Sequence, residues 1–224
     1  TLSGTISDGA TVTGLETYQL SVGSVTKFIN VTSQSGLVNT YEVTIVRQAS
    51  NDATITDIKP SVSTLNPKFS SEIGDYKIGV EGDVKNISFD VTTASTDAVV
   101  IGDGVTELFP GKNIITITVI AEDGITQQSV NIEVYKKTDI NSFETDLEIN
   151  VPIGNDYQID IKYNPENTDY KEMTYVPQDT SILSVSKDGL ITPNKVGDTT
   201  IKVTSTRNPA LTKTITVHVI NPMI

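Results

Sequence analysis

Apolar and polar residues alternate along this chain in short runs. The clearest are Ile114 to Ile120, Val130 to Val134, Tyr157 to Tyr163 and Ile215 to Val219. A period of two places every second side chain on the same face of a strand, and Thr, Val and Ile, which dominate these runs, suit a pleated and half-buried surface. Turn-forming pairs separate the runs: Asp103-Gly104, Pro110-Gly111, Asp123-Gly124, Asp188-Gly189, and Gly197-Asp198 after Val196. No window carries apolar residues at helical spacing. Many short strands at regular intervals predict an all-β chain of tandem antiparallel sandwiches.

One block of this pattern occurs twice. Ala10-Thr11-Val12-Thr13-Gly14 aligns with Ala98-Val99-Val100-Ile101-Gly102 at an offset of 98 minus 10, or 88. The same offset sets Leu20 on Leu108, Gly23 on Gly111, Val31 on Val119 and Gly36 on Gly124. Self-similarity at a fixed period marks serially linked copies of one unit. In Tyr41 to Val46 the alternation runs one residue out of phase with Val130, Ile132 and Val134, which predicts one inserted residue in the turn after Gly124, because a slip without an insertion turns the core face to solvent.

Residues 1–48 align only with the second half of the middle unit and fall below the ~55–65 residues at which small domains fold unaided. Either partner strands precede Thr1 or this half-unit packs on its neighbour; the first is favoured. The polar stretch Gln48 to Asp52 is the first linker and Lys136 to Asp139 the second. The middle unit opens with Ile55-Thr56-Asp57-Ile58. In Leu65-Asn66-Pro67-Lys68-Phe69, Pro67 cannot donate to a ladder, so Leu65 and Phe69 are expected on either side of a crossing between strands.

The order L-x-P-x-F, Asp75-Tyr76 leading a strand, I-x-F-x-V at Ile87, A-x-V-x-G at Ala98, L-x-x-G-x-N-x-I at Leu108 and the Glu122-Asp123-Gly124 turn resembles the cadherin-like β-sandwich repeat of Gram-positive bacterial surface proteins. It covers residues 51–137, with 1–48 as a C-terminal half. Ser129 stands where that family usually has tyrosine and where the first copy has Tyr41. After Asp139 the pattern changes to Val151-Pro152-Ile153-Gly154, Asn164-Pro165-Glu166-Asn167, Asp188-Gly189-Leu190-Ile191 and Lys195 to Ile201. This stretch, 138–224, is similar to the group 2 bacterial immunoglobulin-like domain. Tyr175 replaces that family's tryptophan, and its hydroxyl is expected to need a partner. The resemblances imply tandem antiparallel immunoglobulin-like/cadherin-like β-sandwiches.

Charge narrows the partners. The chain has 28 acidic and 16 basic residues, a net charge of -12. Nucleic acid and anionic membranes, which need clustered Lys and Arg, are disfavoured. There is no cysteine, hence no disulfide or thiolate metal site. No apolar run approaches the ~20 residues of a membrane helix. Neither a leader nor a C-terminal anchor is visible, and the chain reads as a piece of a longer protein.

Candidate chemistry is sparse. The single histidine, His218, alternates out of phase with Ile215, Val217 and Val219 and is expected as an exposed strand residue, which leaves no base for nucleophilic catalysis. No cofactor is expected, and no catalytic residue. Calcium, which takes carboxylate and carbonyl oxygens, has Glu122 and Asp123 beside the Lys136–Asp139 linker as candidates, with Asp97 and Asp103 behind them; surface Asp in Asp-Gly pairs is also ordinary turn chemistry. Among the aromatics of the third module, Tyr157 and Tyr163 share parity with Ile159 and Ile161 and read as core, leaving Tyr170 as the candidate ring for a glycan. No lysine reads as buried within an apolar strand, as a Lys-Asn isopeptide cross-link would require. The expected object is a non-catalytic, monomeric segment of a bacterial extracellular or wall-attached protein, acting as a spacer and in adhesion. Its expected partners are the neighbouring domains of the same polypeptide and a host or cell-wall protein or glycan. The alternative is an accessory or carbohydrate-binding region of a large secreted enzyme such as a glycoside hydrolase.

Overall fold

The computed structural model describes residues 1–222, so the last two positions of the module expected over 138–224 lie outside them. Among the described residues every regular element is a strand. The first three, β1 (Thr11–Thr13), β2 (Gly23–Thr32) and β3 (Val38–Arg47), form one antiparallel sheet in that order. Eight follow: β4 (Ile55–Pro60), β5 (Asp75–Val80), β6 (Asn86–Ile87), β7 (Phe89–Thr93), β8 (Val99–Ile101), β9 (Thr106–Glu107), β10 (Gly111–Ile120) and β11 (Gln127–Lys136). A four-stranded sheet of order β5-β11-β10-β8 shares one apolar core with the β4-β7 and β6-β9 pairs, centred on Ile55, Tyr76, Ile87, Ile117 and Ile132.

The last nine strands are β12 (Ser142–Glu144), β13 (Glu148–Pro152), β14 (Tyr157–Gln158), β15 (Lys162–Asn164), β16 (Met173–Pro177), β17 (Leu183–Val185), β18 (Leu190–Pro193), β19 (Gly197–Ser205) and β20 (Thr212–Ile220). Here a sheet of order β13-β20-β19-β16 encloses a second, separate core with β14-β18-β17 and β12-β15, built on Phe143, Val151, Leu183, Ile191, Ile201 and Val217. The protein is all-β, a tandem of sandwiches. Buried Ile and Val dominate both cores because a β-branched side chain packs well on a pleated face.

The repeat is visible in the strands. β2 falls on β10 at an offset of 111 minus 23, or 88, whereas β3 falls on β11 at 127 minus 38, or 89. The connection has five residues in the first copy (33–37) and six in the second (121–126), so the extra residue lies in that turn and each apolar face is kept. This register corrects one equivalence: Tyr41 pairs with Ile29 as Val130 pairs with Ile117, so the counterpart of Tyr41 is Val130 and not Ser129. Gly14 and Gly102 mark the same turn, with φ of +89° and +90°, and at each an added Cβ would meet a carbonyl oxygen, that of Phe28 or of Thr116. Backbone cannot swing aside as a side chain can, so glycine is required at both.

Two pairings differ from an all-antiparallel sandwich. β5 runs parallel to β11 over Asp75–Val80, and β13 runs parallel to β20 over Glu148–Pro152. Alternation specifies which face of a strand is buried and leaves the direction of its neighbour open. The Pro67 segment behaves as expected: Asn66 and Lys77 exchange two backbone hydrogen bonds, and Leu65 and Phe69 both pack on the core, Phe69 stacked on Tyr76 at 5.9 Å between ring centres.

Candidate functional site

Arg47 closes β3, and its guanidinium reaches into the middle module. Nη1 donates to Glu122 Oε1 at 2.7 Å, and Nη2 donates to Glu122 Oε2 at 3.2 Å and Asp97 Oδ2 at 3.5 Å. The planar fork of arginine suits this two-oxygen contact, which a lysine ammonium cannot copy. Glu122 also holds the linker, accepting from the Ser50 N–H at 2.9 Å, while the Asp123 N–H donates to the Ser50 carbonyl at 3.0 Å. The hydrogen bond from Arg47 and then that from Ser50 hold the Glu122 carboxyl below its ordinary range, and the same contact raises Arg47. The Asp123 carboxylate is turned to its own loop, where it accepts from the Thr126 hydroxyl and from the Ile125 and Thr126 N–H groups, which lower its pKa in that order.

The second junction is denser. Lys137 Nζ donates to Glu81 Oε1 at 2.8 Å, and the Tyr170 hydroxyl donates to Glu81 Oε2 at 2.6 Å while accepting from the Gly82 N–H at 3.0 Å. The Lys137 contact is the largest of those lowering the Glu81 pKa. Arg207, from the loop between β19 and β20, donates through Nε to Asp139 Oδ1 at 2.9 Å and through Nη2 to Asp83 Oδ1 at 3.2 Å. Its guanidinium carbon also lies 4.5 Å from the Tyr170 ring centre, a cation–π contact. Asp139 and Asp83 raise the Arg207 pKa, Asp139 foremost. Asp169 fastens the linker from the other side, accepting from the Thr138 N–H at 2.7 Å and the Tyr135 hydroxyl at 3.1 Å. Side chains on each side of the linker therefore grip the opposite module.

The families of these modules follow from their sequences. Residues 50–137 match the Cadherin-like beta sandwich domain, and residues 139–215 match the Bacterial Ig-like domain (group 2). Residues 50–215 are a tandem of these two domain families. No curated protein matches it in sequence. Solved structures similar to it include the Protocadherin GammaB4 extracellular domain, 10% identical with a TM-score of 0.43, covering 95% of this chain and 43% of that one. Domains 1–6 of the surface layer protein SbsC are 15% identical, TM-score 0.36, over 89% of this chain and 32% of that one. Protocadherin Gamma B2 cadherin domains 3–6 are 11% identical, TM-score 0.46, over 90% and 59%. The chain thus spans less than half the length of the first of these structures. Cadherin-like and group 2 bacterial Ig-like sandwiches are modules of extracellular type that are typically non-catalytic, and this region is modular in the same way. Among the described residues no helix is long and apolar enough to cross a membrane.

The residues singled out by sequence fall differently around the two sandwiches. Glu122 and Asp97 come together on Arg47 at the first junction, with Asp123 beside them in its own turn; this corrects the expectation that Glu122 and Asp123 border the Lys136–Asp139 linker, because their turn packs on Ser50 instead. Asp103 belongs to another turn, where its carbonyl accepts from the Phe89 N–H. Among the described residues no three His, Cys, Asp or Glu side chains gather as a cradle for a metal ion. Tyr170, picked as a free ring, is half-buried at the junction between the cadherin-like and Ig-like modules and is the hydroxyl that ties them. His218 lies on the outer face of its sheet as its parity requires, yet it is half-buried, with Nδ1 2.7 Å from Asp198 Oδ1 and Nε2 3.3 Å from Glu148 Oε1.

Two further expectations are corrected. Lys136 is buried at the end of β11, with Nζ donating to the Leu108 carbonyl at 3.0 Å; the long stem follows the apolar face and the charge ends on a carbonyl. Tyr175 is half-buried, and among the described residues its hydroxyl has no protein hydrogen-bond partner. It opens instead into a cleft of about 490 Å³ shared with Tyr163, Lys171 and Lys187, and burial raises its pKa. Sequence reasoning missed both arginines. The chain has only two, Arg47 and Arg207, and each bridges a junction; that scarcity was the available signal.

Proposed function

We propose that this chain is a spacer segment of a bacterial cell-surface or secreted protein, in which sandwiches joined through short linkers hold a distal domain at a distance from the surface. The observation that carries the reading is the placement of the two arginines, each bridging carboxylates across a linker. Short linkers limit bending between modules, and a guanidinium that reaches across a linker to carboxylates beyond it limits it further. The net charge of -12 opposes self-association along a surface crowded with copies. Attachment to a wall and a role in adhesion belong to this same reading, with the glycan or protein partner met by a neighbouring domain.

The test is mechanical. Spin labels on cysteines introduced at exposed Glu107 and Lys187 report the distance between the middle and third modules by pulsed electron resonance. The native chain is expected to give a narrow distribution. Arg207→Ala removes two partly exposed ion pairs and a cation–π contact, together about 1–2 kcal/mol, and is expected to broaden it without lowering the melting temperature of either sandwich. A native distribution already as broad as that of the variant would sink the spacer reading.

A further inference from the structure

The first sheet exposes a face that its own repeat covers. In the middle module Ile117, Val119, Ile132 and Val134 are fully buried, and their counterparts in β2 and β3, Ile29, Val31, Val43 and Ile45, are all half-exposed. Leu20 shows the same contrast with Leu108, and no residue of 1–48 is buried. Lys27, at the position of Ile115, carries its ammonium out over the Tyr18 ring at 4.3 Å, so its stem stays on the apolar face. The edge is open too: β3 is the last strand of its sheet, whereas the equivalent length of β11, Asn131–Lys136, pairs with β5.

The middle module shows what belongs there. Its inner face is closed by β4 and β7, through Ile55, Ile58 and Phe89, and its edge by β5, through Tyr76 and Ile78. These strands immediately precede the repeated block in sequence. Carried back by 88 positions, β7 falls on residues 1–5, and β4, β5 and β6 fall before Thr1. We propose that the open face and edge of the β1-β2-β3 sheet receive a β-segment of the type of residues 51–88, supplied by polypeptide N-terminal to Thr1 in the same chain. The segment binds by parallel strand addition along Glu42–Arg47 and by laying an alternating apolar face on Ile29, Val31, Val43 and Ile45.

The experiment fuses a copy of residues 51–88 directly ahead of Thr1, the join that the offset dictates, onto the full chain. Amide exchange across β2 and β3 is expected to slow by about tenfold or more, and fluorescence of a dye that binds exposed apolar surface is expected to fall. The same graft carrying Tyr76→Ser and Ile78→Ser in the copy serves as the comparison and is expected to give neither change. Equal protection from both grafts, or none from the first, overturns the proposal. So does a native chain that is dimeric at micromolar concentration with β2 and β3 already protected, because the occupant would then be a second copy. Native-chain monomers that gain protection only from the unaltered graft support it.

Discussion

His218 shows what a single side chain contributes when its neighbours are carboxylates. Asp198 lies opposite it on β19 and Glu148 approaches from β13. The hydrogen bond to Asp198, foremost, and the approach of Glu148 raise the imidazole above its ordinary pKa near 6.5. A group whose pKa is higher in the folded than in the unfolded chain stabilises the fold fully below the unfolded value, and that stabilisation is lost as pH rises through the folded value. Both carboxylates are largely exposed, so screening keeps the effect small. The melting temperature of the native chain minus that of His218→Gln is expected to be positive near ~pH 5.5 and to vanish by ~pH 8. The lowered carboxyls, Glu81 and Glu122 among them, act at more acid pH and are common to both proteins, so they cancel. A difference independent of pH would show that the pairing has no energetic weight. Alternation alone assigned His218 to the outer face; its partners lie on other strands and could not be read from its own.

Within strands, the contrast between β2 and β10 separates what the chain encodes locally from what burial adds. Ile29 and Ile117 occupy equivalent positions, the latter fully buried and the former half-exposed. Removing three carbons from a closed core costs about 2–5 kcal/mol, transfer and cavity together; at Ile29 solvent fills the space, and the loss is expected to stay within about 1 kcal/mol. Urea unfolding of Ile117→Ala and Ile29→Ala checks this, and equal losses would mean that the first sheet is as well covered as the second. Much at this scale was legible. A period of two gave the strands and their faces, and the phase slip between Tyr41 to Val46 and Val130 to Val134 located the turn that is one residue longer. The parallel partners of β11 and β20 were not legible, since Tyr76 or Ile149 presents the same apolar side in either strand direction. Lys136 escaped for a related reason: a long stem lets a charged residue occupy an inward position and still place its ammonium on a carbonyl.

Across the whole molecule the decisive contacts join residues far apart in sequence, Arg207 with Asp83 and Arg47 with Glu122. No local pattern announces such pairs, and the linkers, visible as polar interruptions, gave only their place. The acidic residues that suggested calcium beside the second linker lie instead at the first, where Glu122 faces a cation the chain already carries: both its oxygens are engaged by Arg47 and one also by the Ser50 N–H. Calcium, which takes six to eight oxygens, would have to displace that guanidinium, so millimolar calcium and chelator are expected to give the same distance across the first junction, read by labels at exposed Thr44 and Glu107. Salt is expected to act instead. The ion pairs are partly exposed, and raising ionic strength from ~0.15 M to ~1 M shortens the screening length from about 8 Å to about 3 Å. The spin-label distribution across the second junction should therefore widen in 1 M salt but stop short of free motion, because the Gly82 and Tyr170 hydrogen bond and the Asp169 contacts to the linker remain. In Arg207→Ala most of that response should be gone, with only the Lys137 and Glu81 pair left to screen. A first-junction distribution that narrows on adding calcium, or a second-junction one indifferent to salt in the native chain, would mean that something other than the arginine at that junction sets the angle there.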